Sequence, residues 1–284
     1  MSGPREAPPP VAVCNVYVDG YNFYYSISKR DHDFLKLGWC NFSLLSGRLV
    51  DKAFPGARVG AVKYFTAPVS RHEVHPGEAR RQQVWLEALK LGTQDQVRVI
   101  KGYYDQHDDK PRVEKQTDTN LAISMIRDTI MSPRDPRHGA FRGRDPFSPC
   151  SCVLLLSGDN DLLPAVEMVG SYGMEVAIFR PVDDHDSRQS PVHSRIHTYR
   201  TSEEDLRKSM LPDCILREDG TAITWSEYLD MKIASEAVSP QVDRECFAQC
   251  RAEAANSDDN DPLKKKKKAQ LMEYVGRVTV LLPE

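Results

Sequence analysis

At residues 153–164 the chain reads Val-Leu-Leu-Leu-Ser-Gly-Asp-Asn-Asp-Leu-Leu-Pro, an apolar run that ends in two acids. A short run of branched apolar side chains bounded by Ser-Gly is typical of a strand buried on both faces of a sheet. Pro164 and the acids suit the first turn of a following helix, where one N–H has no partner and negative charge is favoured. We therefore expect Asp159 and Asp161 at the carboxyl end of a buried strand, where ligands bind in open α/β sheets. A plain strand–helix turn with a capping aspartate would produce the same local pattern.

A second apolar run, at residues 11–18, also ends in an acid. It reads Val-Ala-Val-Cys-Asn-Val-Tyr-Val and is followed by Asp19, Gly20, Tyr21 and Asn22. Asp19 is thus expected at the same sheet edge as the later pair, with the Asn22 side chain at the mouth of the same cleft. The alternative is an Asp-Gly turn followed by an asparagine helix cap.

Strand-like and helix-like segments alternate along the first 200 residues. Further strands are predicted at 61–65, 97–104 and 175–179, and helices at 42–53, 78–91 and 162–172, the last two closed by the caps Gly92 and Gly173. Such alternation predicts βαβ units and a mostly parallel sheet. Residues 183–197 are polar and loop-like, and Asp219-Gly220 between two β-type segments predicts a hairpin.

A third segment brings another acid to an apolar helix. Thr117 suits a helix N-cap, and Asp118 falls in the first turn of Thr-Asp-Thr-Asn-Leu-Ala-Ile-Ser-Met. On a helix, Asp118 shares a face with Leu121, Ala122 and Met125, the stripe expected to face the core. Because a purely structural acid belongs on the polar face, this position favours a functional role for Asp118.

These three segments predict four carboxylates at one edge of the sheet: Asp19, Asp118, Asp159 and Asp161. Like charges crowded together require a compensating cation. Hard oxygen ligands suit Mg²⁺ or Mn²⁺, with water and a substrate phosphate completing the coordination. Such a site can activate water for attack on a phosphodiester. The sequence has neither a Walker loop nor a Gly-x-Gly-x-x-Gly after a strand, so P-loop and Rossmann nucleotide sites lack their motif.

Three motifs in this order resemble the NYN-domain family of the PIN-like nuclease superfamily, and its LabA-like branch most closely. They are Tyr-Val-Asp-Gly-Tyr-Asn ending at Asn22, Lys-x-x-Asp ending at Asp118, and Ser-Gly-Asp-x-Asp ending at Asp161. The resemblance covers residues 11–200. It implies an α/β fold of the PIN-like kind, a three-layer α/β/α sandwich with a central, mostly parallel sheet. It also implies a divalent-metal site and cleavage of RNA.

The resemblance assigns metal binding and catalysis to Asp19, Asp118, Asp159 and Asp161, with Asn22 and Ser157 as supporting polar groups. The implied activity is that of an endoribonuclease-like hydrolase, in which water activated by Mg²⁺ or Mn²⁺ attacks RNA phosphodiester bonds. One departure from the family pattern is Ser124, which stands where an acid is often found. This departure weakens one metal position and leaves open a catalytically weak module that binds RNA or a protein partner. A metal-dependent phosphatase of small molecules is a third interpretation.

Several basic residues are candidates for contacts with RNA, which we expect to be single-stranded or structured. They are Arg80, Arg81 and Lys115, with Arg134, Arg137, Arg142 and Arg144 in an Arg-rich insertion at 131–150. Such side chains bind phosphates without reading sequence. A solvated helix face is the alternative for Arg80 and Arg81. The aromatic residues at 21–25 either stack bases beside the cleft or pack the helix after the first strand.

Composition is that of an ordinary globular protein. The 284 residues are 40% hydrophobic and 28% charged, with a net charge of −3 and no apolar run of membrane-spanning length. Residues 1–10 form a Pro-rich tail without a signal core, and the seven cysteines lack zinc-site spacing, so a cytoplasmic protein with reduced thiols is expected. The predicted plan is this tail, a domain at 11–200, and a hairpin and helical extension at 201–284 with a lysine run at 264–268. A homo-oligomer is compatible with this plan.

Overall fold

The computed structural model describes residues 11–28, 36–68, 76–104, 114–130, 148–181 and 194–237. The strands are β1 (Val13–Asp19), β2 (Arg58–Thr66), β3 (Val97–Lys101), β4 (Tyr103–Tyr104), β5 (Glu114–Lys115), β6 (Cys152–Leu156), β7 (Glu175–Arg180), β8 (Ile196–Arg200), β9 (Cys214–Leu216) and β10 (Ala222–Thr224). The helices are α1 (Gly20–Ser28), α2 (Phe42–Ala53), α3 (Pro76–Gly92), α4 (Thr117–Ile130), α5 (Leu163–Ser171), α6 (Glu203–Arg207) and α7 (Trp225–Ala237). Two 3₁₀ turns lie at Lys36–Gly38 and Asn160–Leu162.

The central sheet contains six parallel strands in the spatial order β3-β2-β1-β6-β7-β8. The strand order reverses between β1 and β6, so each half of the sheet is wound outward from the middle. Helices cover both faces, which confirms the predicted three-layer α/β/α class. Asp19 lies opposite Phe65 in the register, and Val18 lies opposite Leu156. The ends of β1, β2 and β6 therefore meet at one edge of the sheet, called the carboxyl edge below.

Side chains of the middle strands alternate between two cores. Val16 and Val18 face the layer of α1, α2 and α3, whereas Tyr17 faces the layer of α4 and α5. All five residues of β6 are buried, which explains its uninterrupted apolar sequence. Each fully buried Leu or Val side chain contributes about 1.5–3 kcal/mol relative to an exposed one.

Local signals explain where several helices begin and end. Asn41 caps α2, because its Oδ1 accepts hydrogen bonds from the amides of Ser43 and Leu44 at 3.1 Å each. Pro164 occupies the first turn of α5, as expected. Gly173 follows α5 with a φ of +89°, the left-handed conformation that ends a helix.

Two predicted strand and loop segments are wrong in detail. The predicted strand 97–104 is two strands, because β3 ends at Lys101 and β4 pairs with β5 instead of extending the central sheet. The predicted loop 183–197 ends too late, because Ile196 and His197 already belong to β8, the outermost parallel strand.

Two predicted helix caps are also wrong. Gly92 is the last residue of α3 and does not cap it. A Cβ at this position would lie 2.6 Å from Leu211 Cδ2, so close packing explains the glycine. Thr117 is the first residue of α4, and its buried hydroxyl has no hydrogen-bond partner among the described residues.

Residues 201–237 pack against the α1–α3 layer. The hairpin β9–β10 turns at Gly220 with a φ of +82°, which confirms the hairpin prediction. Ile223 belongs to the same buried cluster as the first face of the sheet. Trp39 Nε1 donates to the Pro212 carbonyl oxygen at 2.9 Å. This part of the C-terminal extension therefore shares a core with the sheet.

Within the described ranges, no helix is both long and apolar enough to cross a membrane. The five cysteines in these ranges are free thiols. The predicted tail at 1–10 and the lysine run at 264–268 lie outside the described residues.

Candidate metal centre

Asp19 is the last residue of β1 and its side chain is held from two sides. The residue is 3% exposed. Its Oδ1 accepts a hydrogen bond from the Asn22 amide at 3.0 Å, and its Oδ2 accepts one from the Ser157 hydroxyl at 2.8 Å. Asn22 lies in the first turn of α1 and Ser157 directly follows β6, so the carboxylate spans the point where the strand order reverses.

Gly20 lets the chain leave β1 and enter α1 against the next strand. A Cβ at this position would lie 2.4 Å from the Tyr64 ring and 2.6 Å from the Phe65 carbonyl oxygen. Only glycine fits so close to a neighbouring backbone. The Asp-Gly sequence therefore reflects close packing at the carboxyl edge.

The turn after β6 is tied to the turn after β1 through side chains. The Gly158 amide donates to Asn22 Oδ1 at 2.8 Å, and the Asp159 amide donates to Ser157 Oγ at 3.0 Å. Asn22 and Ser157, the two predicted supporting groups, thus connect the turns and position Asp19 and Asp159 relative to each other.

Three carboxylates converge at this point: Asp19 from the end of β1, Asp118 from the first turn of α4, and Asp159 from the turn after β6. One carboxylate oxygen from each lies within 4.8 Å of the other two. Oxygens bound to Mg²⁺ at about 2.1 Å lie about 3 Å apart when adjacent and about 4.2 Å apart when opposite. Side-chain shifts of about an ångström would bring the three oxygens to these distances. The donor set fits a hard divalent cation because every donor is a carboxylate oxygen.

The electrostatics of the cluster favour a cation. Burial raises the pKa of Asp19 to about 6, with a smaller contribution from the Asp118 and Asp159 carboxylates, while the hydrogen bonds from Asn22 and Ser157 oppose the rise. A buried carboxylate beside two others is more stable when it is protonated or when a cation balances the charge. A bound cation would therefore displace a proton from Asp19 at mildly acidic pH.

The fourth predicted ligand, Asp161, does not join the cluster. It lies in the 3₁₀ turn after Asp159 and is exposed. Its backbone amide donates to Asp159 Oδ1 at 2.9 Å. Asp161 thus orients the Asp159 carboxylate through its backbone, and its own carboxylate is not among the three that converge.

Ser124, the position of the predicted departure from the NYN-like motifs, lies farther along α4 than Asp118 and away from the three carboxylates. It is buried, and its hydroxyl oxygen accepts a hydrogen bond from Lys63 Nζ at 3.1 Å. Lys63 pairs in register with Tyr17, two residues before Asp19, which corresponds to roughly 7 Å along the strand. Ser124 therefore contacts a buried lysine and is not itself among the three converging carboxylates.

A buried ionic network lies beneath the cluster of carboxylates, and its charged residues were not among the predicted site residues. Lys63 Nζ lies 2.6 Å from Asp128 Oδ2, and both side chains are fully buried. The Tyr17 hydroxyl donates to the same oxygen at 2.9 Å, and Arg127 Nη2 lies 3.2 Å from Asp128 Oδ1. A lysine between the apolar residues Val62 and Tyr64 of β2 was the sequence signal for this network.

Arg180 is a further residue beside the site that was not predicted from the sequence. It ends β7 and is 4% exposed. Its guanidinium donates to the Gly158 carbonyl oxygen at 3.5 Å and to Asn160 Oδ1 at 3.2 Å. Arg180 thus holds the turn that carries Asp159. An arginine at the end of an apolar strand was the available signal.

The predicted RNA-binding residues are spread over the molecule. Arg80 is exposed on α3, whereas Arg81 is half-buried and donates to the Tyr24 hydroxyl at 2.8 Å. Lys115 lies in β5, opposite Tyr103. Arg134, Arg137, Arg142 and Arg144 lie outside the described residues.

The Arg-rich insertion is attached far from the acids. Its last residues are described, and the Ser148 carbonyl oxygen accepts a hydrogen bond from Asn15 Nδ2 at 2.5 Å. The Ser151 amide donates to the carbonyl oxygen of Val13, the first residue of β1. The insertion therefore rejoins the fold at the amino edge of the sheet, opposite the carboxyl edge where the acids converge.

The fold and the site together define a class: a doubly wound α/β protein with three carboxylates at the switch point of its parallel sheet. No family model matches the chain. The chain is 24% identical over 190 residues to 6-hydroxy-3-succinoylpyridine 3-monooxygenase of Pseudomonas putida, a match that covers 55% of each chain. It thus spans about half the length of that curated relative. Among solved structures it is similar to a protein of unknown function from Vibrio parahaemolyticus, with a TM-score of 0.40 and 15% identity over 70% of this chain and 98% of that one.

Proposed function

We propose that this protein is a divalent-metal-dependent ribonuclease that hydrolyses phosphodiester bonds at the cluster of Asp19, Asp118 and Asp159. The observation that carries the proposal is the convergence of these carboxylates within 4.8 Å at the switch point of the sheet. Ligands of open α/β sheets bind at this position. Three hard oxygen donors in such a cleft suit Mg²⁺ or Mn²⁺ with open coordination positions for water and phosphate.

The chain's own residues have distinct roles in this proposal. Asp19 is the anchoring ligand, because its buried position and two hydrogen bonds fix its orientation. Asp159 is held by the Asp161 amide, and Asp118 projects from the first turn of α4. A bound divalent cation would supply polarisation of the phosphate and a lower pKa for a water molecule. Exposed Asp118 leaves the centre accessible to a long polymer from the solvent side.

RNA as the substrate is supported by the sequence motifs. Asp19, Asn22, Asp118 and Asp159 stand at the positions of the NYN-like motifs, and the site brings all four side chains to one edge. The similarity to the Pseudomonas monooxygenase is low and covers half of each chain, so the activity in that name does not carry over.

The test uses RNA labelled at either end and incubated with Mn²⁺, Mg²⁺ or EDTA. Asp19→Asn, Asp118→Asn and Asp159→Asn should each lower the cleavage rate by more than the 10–100-fold typical for loss of an outer-shell partner. The matched control is Asp51→Asn, the same change at an exposed position of α2, which should cleave like the wild type. Asp161→Asn should lose less than the three, since its amide is retained. Equal cleavage by all variants, or cleavage in EDTA, would overturn the proposal.

A catalytically weak module that binds RNA is the second candidate. It is favoured by one observation: Ser124 contacts Lys63 in the interior, so no fourth acid completes a second metal position there. Retained RNA binding with bound Mn²⁺ and no cleavage of any RNA offered would establish this candidate over the nuclease.

A further inference from the structure

A small cleft opens beside the metal centre, between α1, α3 and α7. Gly20, which directly follows Asp19, lines it, as does Thr66, which ends β2 one residue after the partner of Asp19. Its volume is about 90 Å³. This is less than the apolar cavity of about 150 Å³ that holds benzene, but the cleft is partly open, so a flat ring would lie partly inside it and partly outside.

The walls of the cleft are aromatic. Tyr21 and Tyr24 come from α1, Tyr64 from β2, Trp85 from α3 and Tyr228 from α7. Tyr64 and Trp85 pack with their ring centroids 5.0 Å apart. Faces and edges of such rings bind flat heterocycles by stacking, whatever the base, because every base has a π-face.

A cation, Arg81, lies among these rings. Arg81 lines the cleft, and its guanidinium carbon lies 5.5 Å from the centroid of the Tyr24 ring and 6.0 Å from that of Tyr228. Its Nη1 donates to the Tyr24 hydroxyl, whereas its buried Nε has no hydrogen-bond partner among the described residues. Among the described residues, no carboxylate forms an ion pair with Arg81 within 4.0 Å. Glu78, one turn earlier in α3, also lines the cleft and attracts the guanidinium from a greater distance. An arginine that no carboxylate contacts directly can still donate a charge-assisted hydrogen bond to an anion.

We propose that this cleft is a nucleotide subsite. It takes the base of the nucleotide next to the scissile phosphate against the tyrosine rings, and it takes that nucleotide's own phosphate on Arg81. An aromatic ring and an anion on one ligand match the two chemistries that line the cleft. The inference extends the proposed ribonuclease function, because the cleft begins one residue from Asp19.

The test measures binding of AMP, adenosine and inorganic phosphate in EDTA, with tryptophan fluorescence and calorimetry as readouts. AMP should bind and quench tryptophan emission, and adenosine should bind about tenfold more weakly or worse, since it lacks the anion. Arg81→Gln should reduce AMP affinity to that of adenosine. The matched control is Arg80→Gln, the neighbouring exposed residue of the same helix, which should bind AMP like the wild type.

Three results would overturn the subsite: equal affinity for AMP and adenosine, unchanged AMP affinity in Arg81→Gln, or tighter binding of nicotinate than of AMP. The last would indicate a small heterocyclic acid as the ligand. If Arg81→Gln does not fold, the comparison of AMP with adenosine on the wild type tests the subsite by itself.

The test of the subsite is independent of the metal centre. Because binding is measured without metal, Asp19→Asn should bind AMP normally while losing Mn²⁺. AMP binding without RNA cleavage would therefore refute the nuclease but support a nucleotide site in the cleft. RNA cleavage without AMP binding would support the nuclease and refute the subsite.

Discussion

At the scale of single residues, Asp19 determines how the metal centre responds to pH. Its carboxylate is buried beside two others, and its pKa is raised to about 6 from an ordinary value near 3.8. The folded protein therefore binds one more proton than the unfolded chain between about pH 4 and pH 6. A raised carboxyl pKa means that stability without metal is lost as the pH rises through this window.

The raised pKa of Asp19 makes the stability of the metal-free protein depend on pH. In EDTA, the contribution of Asp19 to the free energy of unfolding should decrease by up to about 3 kcal/mol from pH 4 to pH 7, at 1.36 kcal/mol for each pKa unit. Asp19→Asn should remove this decrease and also abolish Mn²⁺ binding. Wild-type Mn²⁺ affinity should rise with pH up to about 6 and then level off. Urea unfolding at several pH values, with Asp51→Asn as the control, checks the prediction; parallel pH profiles for wild type and Asp19→Asn would contradict it.

The buried pair of Lys63 and Asp128 is the second feature at this scale. Both side chains are fully buried, and the Tyr17 hydroxyl bonds to the same Asp128 oxygen that contacts Lys63. Two opposite charges in the interior are stable together, but each is costly alone. The network thus fixes α4, and with it Asp118, against the central strands.

Asp128→Ala should therefore destabilise the protein by about 3–5 kcal/mol, because it leaves the Lys63 charge buried without its partner. The double variant Lys63→Met with Asp128→Leu should recover part of this loss, since it removes both charges of the pair, although Arg127 still loses its contact with Asp128. Urea unfolding measures both effects. The control Asp51→Ala, an exposed position, should stay within about 0.5 kcal/mol of the wild type. A loss below 1 kcal/mol for Asp128→Ala would refute the argument.

At the scale of elements, the passage from β1 to α1 is tightly constrained. Asp19 and Asn22 must face the turn after β6, and Gly20 must lie against Tyr64 and the Phe65 backbone. Backbone atoms of a central strand cannot move aside as a flexible side chain can. The connection therefore tolerates no larger residue at Gly20.

Gly20→Ala should lower the free energy of unfolding by about 1–3 kcal/mol, the usual effect of overpacking. It should also weaken Mn²⁺ binding, because the displaced turn carries Asp19. Gly47→Ala is the matched control: this glycine lies in α2 with no atom within 4 Å of an added Cβ. That variant should gain up to about 1 kcal/mol from helix propensity. Thermal unfolding and calorimetric Mn²⁺ titration test both variants, and a neutral Gly20→Ala would show that the turn can relax.

At the scale of the whole molecule, residues 201–237 complete the core around the sheet. Trp39 packs against Trp225 and Tyr228 with ring centroids 5.8 and 5.3 Å apart, although it is fully buried and lies before the second strand. The amide of Leu211 donates to the Trp39 carbonyl oxygen at 2.9 Å. The C-terminal segment thus covers apolar surface of the α1–α3 layer.

A chain of residues 11–200, the domain expected from the sequence, should therefore lose cooperative unfolding and bind a hydrophobic dye. A chain of residues 11–237 should unfold cooperatively, because it retains α7 and the hairpin. Circular dichroism melting and dye fluorescence on the two chains give the comparison. Equal melting temperatures would mean that the sheet and its five flanking helices suffice.

Much of the fold followed from local pattern. The apolar runs before Asp19 and Ser157 predicted buried strands, and the helix at 42–53 has the bounds Phe42–Ala53. Asp219-Gly220 correctly predicted the β9–β10 hairpin, because a tight turn depends on a few consecutive residues. The prediction that acids follow buried strands placed Asp19 and Asp159 at one edge, because parallel strands end on the same side.

Contacts between distant segments were decided only by the tertiary structure. Asp159 and Asp161 are two residues apart and look alike in sequence, yet the 3₁₀ turn directs one carboxylate to Asp19 and Asp118 and leaves the other exposed. The pairing of Lys63 with Asp128 spans 65 residues, and its energy depends on burial that no local pattern specifies. Short-range periodicity determines which residues enter strands and helices, whereas charge pairing, shared burial and the cleft beside Asp19 depend on which elements pack together.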